Sequence, residues 1–186
     1  MARYISLTAL LCIMLMAAVT FVGPNQACAA SAAEIDRNVD AALKTLFDKS
    51  ESARALAEKA KGVLVFPAIV KAGFIVGGQY GEGALRESGK TVGYYNSVAA
   101  SYGLQAGIQK FGYALFFMSD SALKWIDKSD GWEIGTGPSI VIVDVGAAGS
   151  LTTTTAKSDI YAFFFSQKGL MAGIGLQGTK VTRINK

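Results

Sequence analysis

The chain contains no histidine at all. That removes the commonest general base and the commonest metal ligand together. Its two cysteines, Cys12 and Cys28, sit close to the N-terminus, so the body of the protein has no thiol with which to hold zinc or close a disulfide. Charged residues are sparse, at 17%, and the formal balance is only +4, from 18 Lys and Arg against 14 Asp and Glu. An excess this mild suits an anionic surface and falls far short of a dedicated nucleic-acid binder. No carboxylate pair stands out. Asp127, Asp130 and Glu133 cluster, but across a polar turn beside Trp125 and Trp132, where solvated charge is the default. Serines have no histidine partner, and Ser97 and Ser101 have no Ser-x-x-Lys arrangement. These absences argue against an enzyme and supply no catalytic residue, no metal ligand and no cofactor site.

What is present is apolar. With 186 residues, 51% of them hydrophobic, the chain suffices for one domain with a proper core. Met1 to Ala33 reads as an export signal: Arg3 gives the positive start, Ile5 to Val22 is almost wholly apolar, and Ala27-Cys28-Ala29 offers a small-residue cleavage site. Cleavage before Ala30 leaves 30–186 as the mature domain, in the periplasm or cell envelope. Two alternatives stand beside it. Cys28 could be acylated as in a lipoprotein, although Asn25 sits where such signals carry Leu. The apolar run could also stay as an anchor, since its length reaches the lower limit for a span.

From Ala33 to Ala60 the pattern is helical, with Ile35, Val39, Ala42, Leu43 and Leu46 at three- and four-residue spacing. Asp48 to Ser52 interrupts it. Ser50 is placed to cap a second, short helix, which Gly62 is expected to end. Then comes the stretch Lys61 to Gly83, KGVLVFPAIVKAGFIVGGQYGEG. Val63-Leu64-Val65-Phe66, Ile69-Val70 and Phe74-Ile75-Val76 read as buried strand segments broken by Pro67. Gly77, Gly78, Gly81 and Gly83 follow, and glycines clustered in a strand mark a sharp bend or a close approach by backbone or ligand. Both readings, packed sheet corner and ligand loop, stay open from the residues alone.

The remainder is strand and turn. Glu87-Ser88-Gly89-Lys90 predicts a hairpin, Tyr113 to Met118 a buried strand, and Ser119 the cap of a short helix. Ile140 to Val145, Thr152 to Thr155 and Ile160 to Phe165 are strand-prone, with Lys168-Gly169 turning into a last pair, Leu170 to Leu176 and Thr179 to Ile184. Short turns without interleaved long helices predict an α+β fold: amphipathic N-terminal helices packed on a glycine-rich antiparallel sheet, curled into a sandwich or partly closed barrel. Gly173-Ile-Gly-Leu-Gln-Gly178 matches G-x-G-x-x-G, but no helix follows and no acidic residue lies downstream, so it is not a dinucleotide site. The basic residues Lys59, Lys61, Lys71, Arg86, Lys90 and Lys110 fall near glycine-rich turns, where backbone amides beside cations form anion nests.

Several runs resemble the SYLF domain, the Ysc84-like group found in bacterial exported proteins. They are Lys61 to Pro67, Lys71 to Phe74, Gly77 to Gly83, Tyr102 to Gly107 and Ser166 to Gly173. The resemblance spans about Leu46 to Thr182 and fits less closely over Gly135 to Thr155. It implies a non-catalytic domain that binds phosphoinositides and other anionic phospholipids at a membrane surface. No SH3 module accompanies it here, no nucleic acid is implied, and actin, bound by some eukaryotic members, is not expected for an exported bacterial-type protein. The expected lipid-binding set is Lys59, Lys61, Lys71, Gly77, Gly78, Tyr80, Gly81, Gly83, Arg86 and Lys90. A structural or protein-interaction domain of the envelope is the competing expectation.

Overall fold

A computed structural model of the chain describes residues 30–127, 131–143, 158–169, 176 and 178–186, with the backbone alone at 74–75, 101–106 and 169. The expected signal segment, Thr152 to Thr155, and all of 170–175 lie outside the described residues. Helix α1 (Ala32–Lys49) and helix α2 (Glu51–Ala57) meet at Ser50, which serves both. Its N–H closes α1 on the Leu46 carbonyl at 2.9 Å, and its hydroxyl accepts from the Ala53 N–H of α2 at 3.2 Å. One serine therefore satisfies orphan backbone groups at two helix ends, a contact worth about 1 kcal/mol per cap.

Two very long strands form the trunk. Strand β1 (Gly62–Glu87) pairs antiparallel with β2 (Lys90–Phe117) along their whole length. Ser88 and Gly89, both at positive φ, make the tight turn between them. Pro67 does not end a strand as its missing N–H suggests. It sits with Ala68 in a bulge opposite Gly112, where the ladder asks for no donor. The ribbon then bends. Gly103, Leu104 and Gln105 of β2 all fall opposite Ile75, so β2 takes the longer outer path and β1 the inner one.

Past the bend β1 runs back along itself, and the glycines make this possible. A Cβ on Gly73 would collide with the Gly77 backbone, one on Gly81 with the Ala68 carbonyl, and one on Gly83 with the Val65 carbonyl. Strand β5 (Ile160–Gly169) takes the free edge of β2 over Gln109 to Phe117, and β6 (Lys180–Ile184) takes it over Tyr94 to Val98. Strand β3 (Trp132–Glu133) extends β6, and β4 (Ile140–Val143) extends β5. The result is an α+β half-barrel.

The sheet is mixed, where the sequence predicts antiparallel: β4 and β5 run parallel. Ser139 and Asp159 set that alignment, since Ser139 donates from both N–H (3.0 Å) and Oγ (2.8 Å) to the Asp159 carboxylate. The same contacts hold that carboxyl below its usual range. Two smaller expectations also change. Gly62 opens β1 instead of capping a helix, and Lys168-Gly169 continues β5 instead of turning.

Period-two alternation divides the core between the two faces of the sheet. Val63, Val65, Ala114, Phe116 and Phe163 pack under Ile35, Val39, Leu46 and Leu56 of the helices. Leu64, Phe66, Tyr113, Leu115 and Phe117 point the other way, into the half-barrel, against Ile126 and Trp132. Helix α3 (Asp120–Leu123), capped by Ser119, supplies Ala122 to this inner cluster.

Candidate functional site

Because the ribbon doubles over, it has a closed end and a bend end. At the closed end Gly62 lies beside Leu85 and Glu87. At about 3.3 Å per residue, Lys71 is roughly 30 Å along β1 from there. The ten residues expected to form one site are thereby divided. Lys59, Lys61, Arg86 and Lys90 belong to the closed end; Lys71, Gly77, Gly78 and Tyr80 belong near the bend.

The closed end is occupied by its own ion pairs. Arg86 Nη2 donates to Asp40 Oδ1 at 2.7 Å and to the Asp36 carbonyl at 3.2 Å. Asp36 also accepts from Thr91 Oγ1 (2.7 Å) and the Tyr94 hydroxyl (2.9 Å). Arg86, its side chain 14% exposed, is thus the bolt that fastens α1 to the ribbon, and as such is engaged. Lys59, Lys61 and Lys90 are exposed, and Lys90 is the backbone register partner of acidic Glu87 across the turn. Gly81 and Gly83 are buried between the two halves of the ribbon, where a Cβ would meet the Ala68 and Val65 carbonyls, so close backbone packing accounts for both glycines.

The bend is different in both charge and polarity. No acidic residue occurs from Pro67 to Gly81, from Val98 to Ser119, or in β5. Val70, Lys110 and Lys168 are consecutive cross-strand partners and so share one face, as do Ala72 and Ile108 in the next row. All five are exposed, Ile108 at 70%. Two lysines directly opposite one another repel, and neither has an ion-pair partner among the described residues. On the returning half, Val76 (61% exposed), Tyr80 and Val98 continue the apolar surface, with Lys180 opposite Val98. Gly78 is exposed and open: a methyl added there would meet nothing closer than the Ala99 carbonyl, at 3.6 Å. A groove of ≈310 Å³ runs from Lys110 and Phe165 past Pro67 to Ala41 and Thr45 of α1.

Tyr80 is tied down by its hydroxyl, which donates to Glu82 at 2.8 Å, while Lys186 donates to the other carboxylate oxygen at 2.9 Å. Burial would raise the Glu82 carboxyl, but the Lys186 and Tyr80 hydrogen bonds outweigh it and hold the group below its ordinary value. The sequence places Lys110 among the basic residues near glycines and predicts Val70 and Val76 as buried strand positions, but both are exposed on the sheet's outer face. No local pattern marks Lys168 or Ile108 as part of a surface. The signal that finds them is the long acid-free stretch on both strands of one ribbon. Among the described residues no group of His, Cys, Asp or Glu is placed to hold a metal ion.

A helix-backed half-barrel with an acid-free, apolar and cationic bend is the scaffold of a binding domain. Residues 98–186 match the family described as Ysc84, Las17-binding protein actin regulator, and the match supports the SYLF domain family for this part of the chain. The match takes in β2 from Val98 through β6, including the Tyr102 to Gly107 and Ser166 to Gly173 motifs. The family is one of binding domains. Comparison with curated proteins found no match.

Proposed function

We propose that the protein is a non-catalytic module that docks its ribbon bend on membranes rich in anionic phospholipid, phosphoinositides among them, and that it does so in the cell envelope after export. The observation that carries this is the row Val70–Lys110–Lys168 beside Ala72–Ile108: paired, unneutralised cations next to exposed aliphatic side chains. Headgroup phosphates relieve the repulsion between the lysines, while the aliphatic groups enter the acyl boundary. Each cation near an acidic membrane contributes about 1 kcal/mol. Lys110 and Lys168 together with partial burial of Ile108 and Val70 then give on the order of 4 kcal/mol, a weak association near about 1 mM that salt screens, while Lys180 faces Glu133 across β3 and β6.

Co-sedimentation of the mature protein with vesicles tests this. Binding is expected with anionic lipid, weaker at high salt; equal binding to neutral vesicles contradicts it. Intact mass from the native host tests export: loss of 1–29 is expected, and an unprocessed mass opposes it. The second reading, a protein-interaction domain, draws on the family's description as Las17-binding and on the exposed Val141 and Ile142 of β4. It predicts partner capture that survives removal of Lys110 and Lys168.

A further inference from the structure

We propose that the inner side of the bend is an oxyanion site formed by Lys71, Gln79 and Gln109. Lys71 and Gln109 are direct partners across β1 and β2, so their side chains leave the same face. That face is the inner one, because neighbours in the same alternation, Ile69 and Phe111, belong to the half-barrel core. The doubling of β1 brings in the third residue. Gly73 lies abreast of Gly77, and Gly81 abreast of Ala68 and Ile69, so Gln79 falls beside Lys71 between them. All three are buried, Lys71 at 9%, Gln79 at 8% and Gln109 at 3% exposure.

Their hydrogen-bonding capacity is unfilled. Gln109 Oε1 has no partner among the described residues. Gln79 Nε2 donates one hydrogen to Thr179 Oγ1 at 3.2 Å, leaving its second. The Lys71 side chain has neither an ion pair nor a hydrogen bond to any described residue. A lysine this buried without a counter-charge is rare, and its ammonium is not among the fully enclosed unpartnered atoms, so an ion arriving from solvent can reach it. Among the described residues the acid-free bend gives it no carboxylate, which leaves a place for an anion from outside the chain. A phosphate meets every demand. Its anionic oxygens accept from Lys71 and Gln79, and its remaining P–O–H, or a hydroxyl beside a phosphoester, donates to Gln109 Oε1. Turning the Gln109 amide gives a further donor instead.

This rests on the membrane reading only for where the phosphate comes from, a free ion or a lipid headgroup. The test is thermal unfolding and calorimetric titration of the mature protein with inorganic phosphate and with glycerol phosphate, against chloride at equal ionic strength. Vesicle binding is followed in parallel. The wild type is expected to gain several degrees in Tm, saturably, with phosphate. A response to phosphate alone identifies a free ion; an equal or tighter response to glycerol phosphate identifies a headgroup. Lys71→Met is expected to be more stable than wild type without phosphate and to lose the response at least tenfold. Gln109→Leu should weaken it several-fold, and Lys59→Ser should leave it unchanged. No saturable effect of either compound on the wild type overturns the site, as does an effect untouched in both Lys71→Met and Gln109→Leu. If vesicle binding persists in that case, the pocket fails and the surface reading stands.

Discussion

The two ends of the ribbon are built from the same pair of strands and treat charge in opposite ways. At the closed end Arg86 is ion-paired to Asp36 and Asp40, and Lys90 lies opposite acidic Glu87. At the bend Lys110 faces Lys168, with Val70 and Ile108 exposed alongside. Charge at the first end is spent on holding a helix to a sheet. At the second it is unspent, and it lies next to apolar surface that folding leaves wet. The contrast separates cations that stabilise from cations that are available, a distinction that a count of lysines near glycines does not make.

The glycines show the same contrast and give the largest expected effect. Gly83→Val forces a side chain into the Val65 backbone and should cost at least about 3 kcal/mol, or prevent folding, whereas Gly78→Ala should change stability by less than about 0.5 kcal/mol. Denaturant midpoints for the two variants measure the difference. Next, Arg86→Met strands the Asp36 and Asp40 carboxylates at a partly exposed site and should destabilise by about 1–2 kcal/mol, read from thermal unfolding, with vesicle binding of the folded fraction unchanged. Ile108→Ser should do the reverse: stability within about 0.5 kcal/mol of wild type, since the side chain is exposed, and vesicle affinity down about fivefold at fixed salt.

The smallest effect concerns pH. The folded Glu82 carboxyl lies below its unfolded value, so its contribution is present at neutral pH and is lost as pH falls through the folded value. Glu82→Gln should therefore lower Tm slightly at neutral pH, and the gap should close in acid as the wild-type carboxyl protonates. A gap that widens in acid would contradict the Lys186 and Tyr80 bonds as its source.

Much of the fold is legible in the sequence because it is written in local chemistry. Ser50 between two helical patterns, Ser88-Gly89 between two apolar runs and Ser119 before Ala122 each specify a turn or cap by residue type. The alternation of Val63, Leu64, Val65 and Phe66 specifies a strand, though not which face meets the helices. Long-range pairing is not legible. The parallel β4–β5 pair depends on Ser139 meeting Asp159, and nothing near either residue announces it. The site is half legible for a related reason. Gly73, Gly77, Gly81 and Gly83 do mark a bend and close approach, but proximity in sequence places Lys61, Lys71 and Arg86 together. The doubling of β1 sends them to opposite ends and brings in Lys110 and Lys168 from other strands.

The most direct test of the division into two ends is anionic-vesicle co-sedimentation of two double variants at low salt. Lys110→Ser/Lys168→Ser removes available charge at the bend; Lys59→Ser/Lys61→Ser removes the same charge at the closed end. At about 1 kcal/mol per cation, the first should lose roughly 20- to 30-fold in affinity and the second should bind like wild type. Equal losses, or a larger loss from Lys59→Ser/Lys61→Ser, would contradict the bend as the membrane-docking surface.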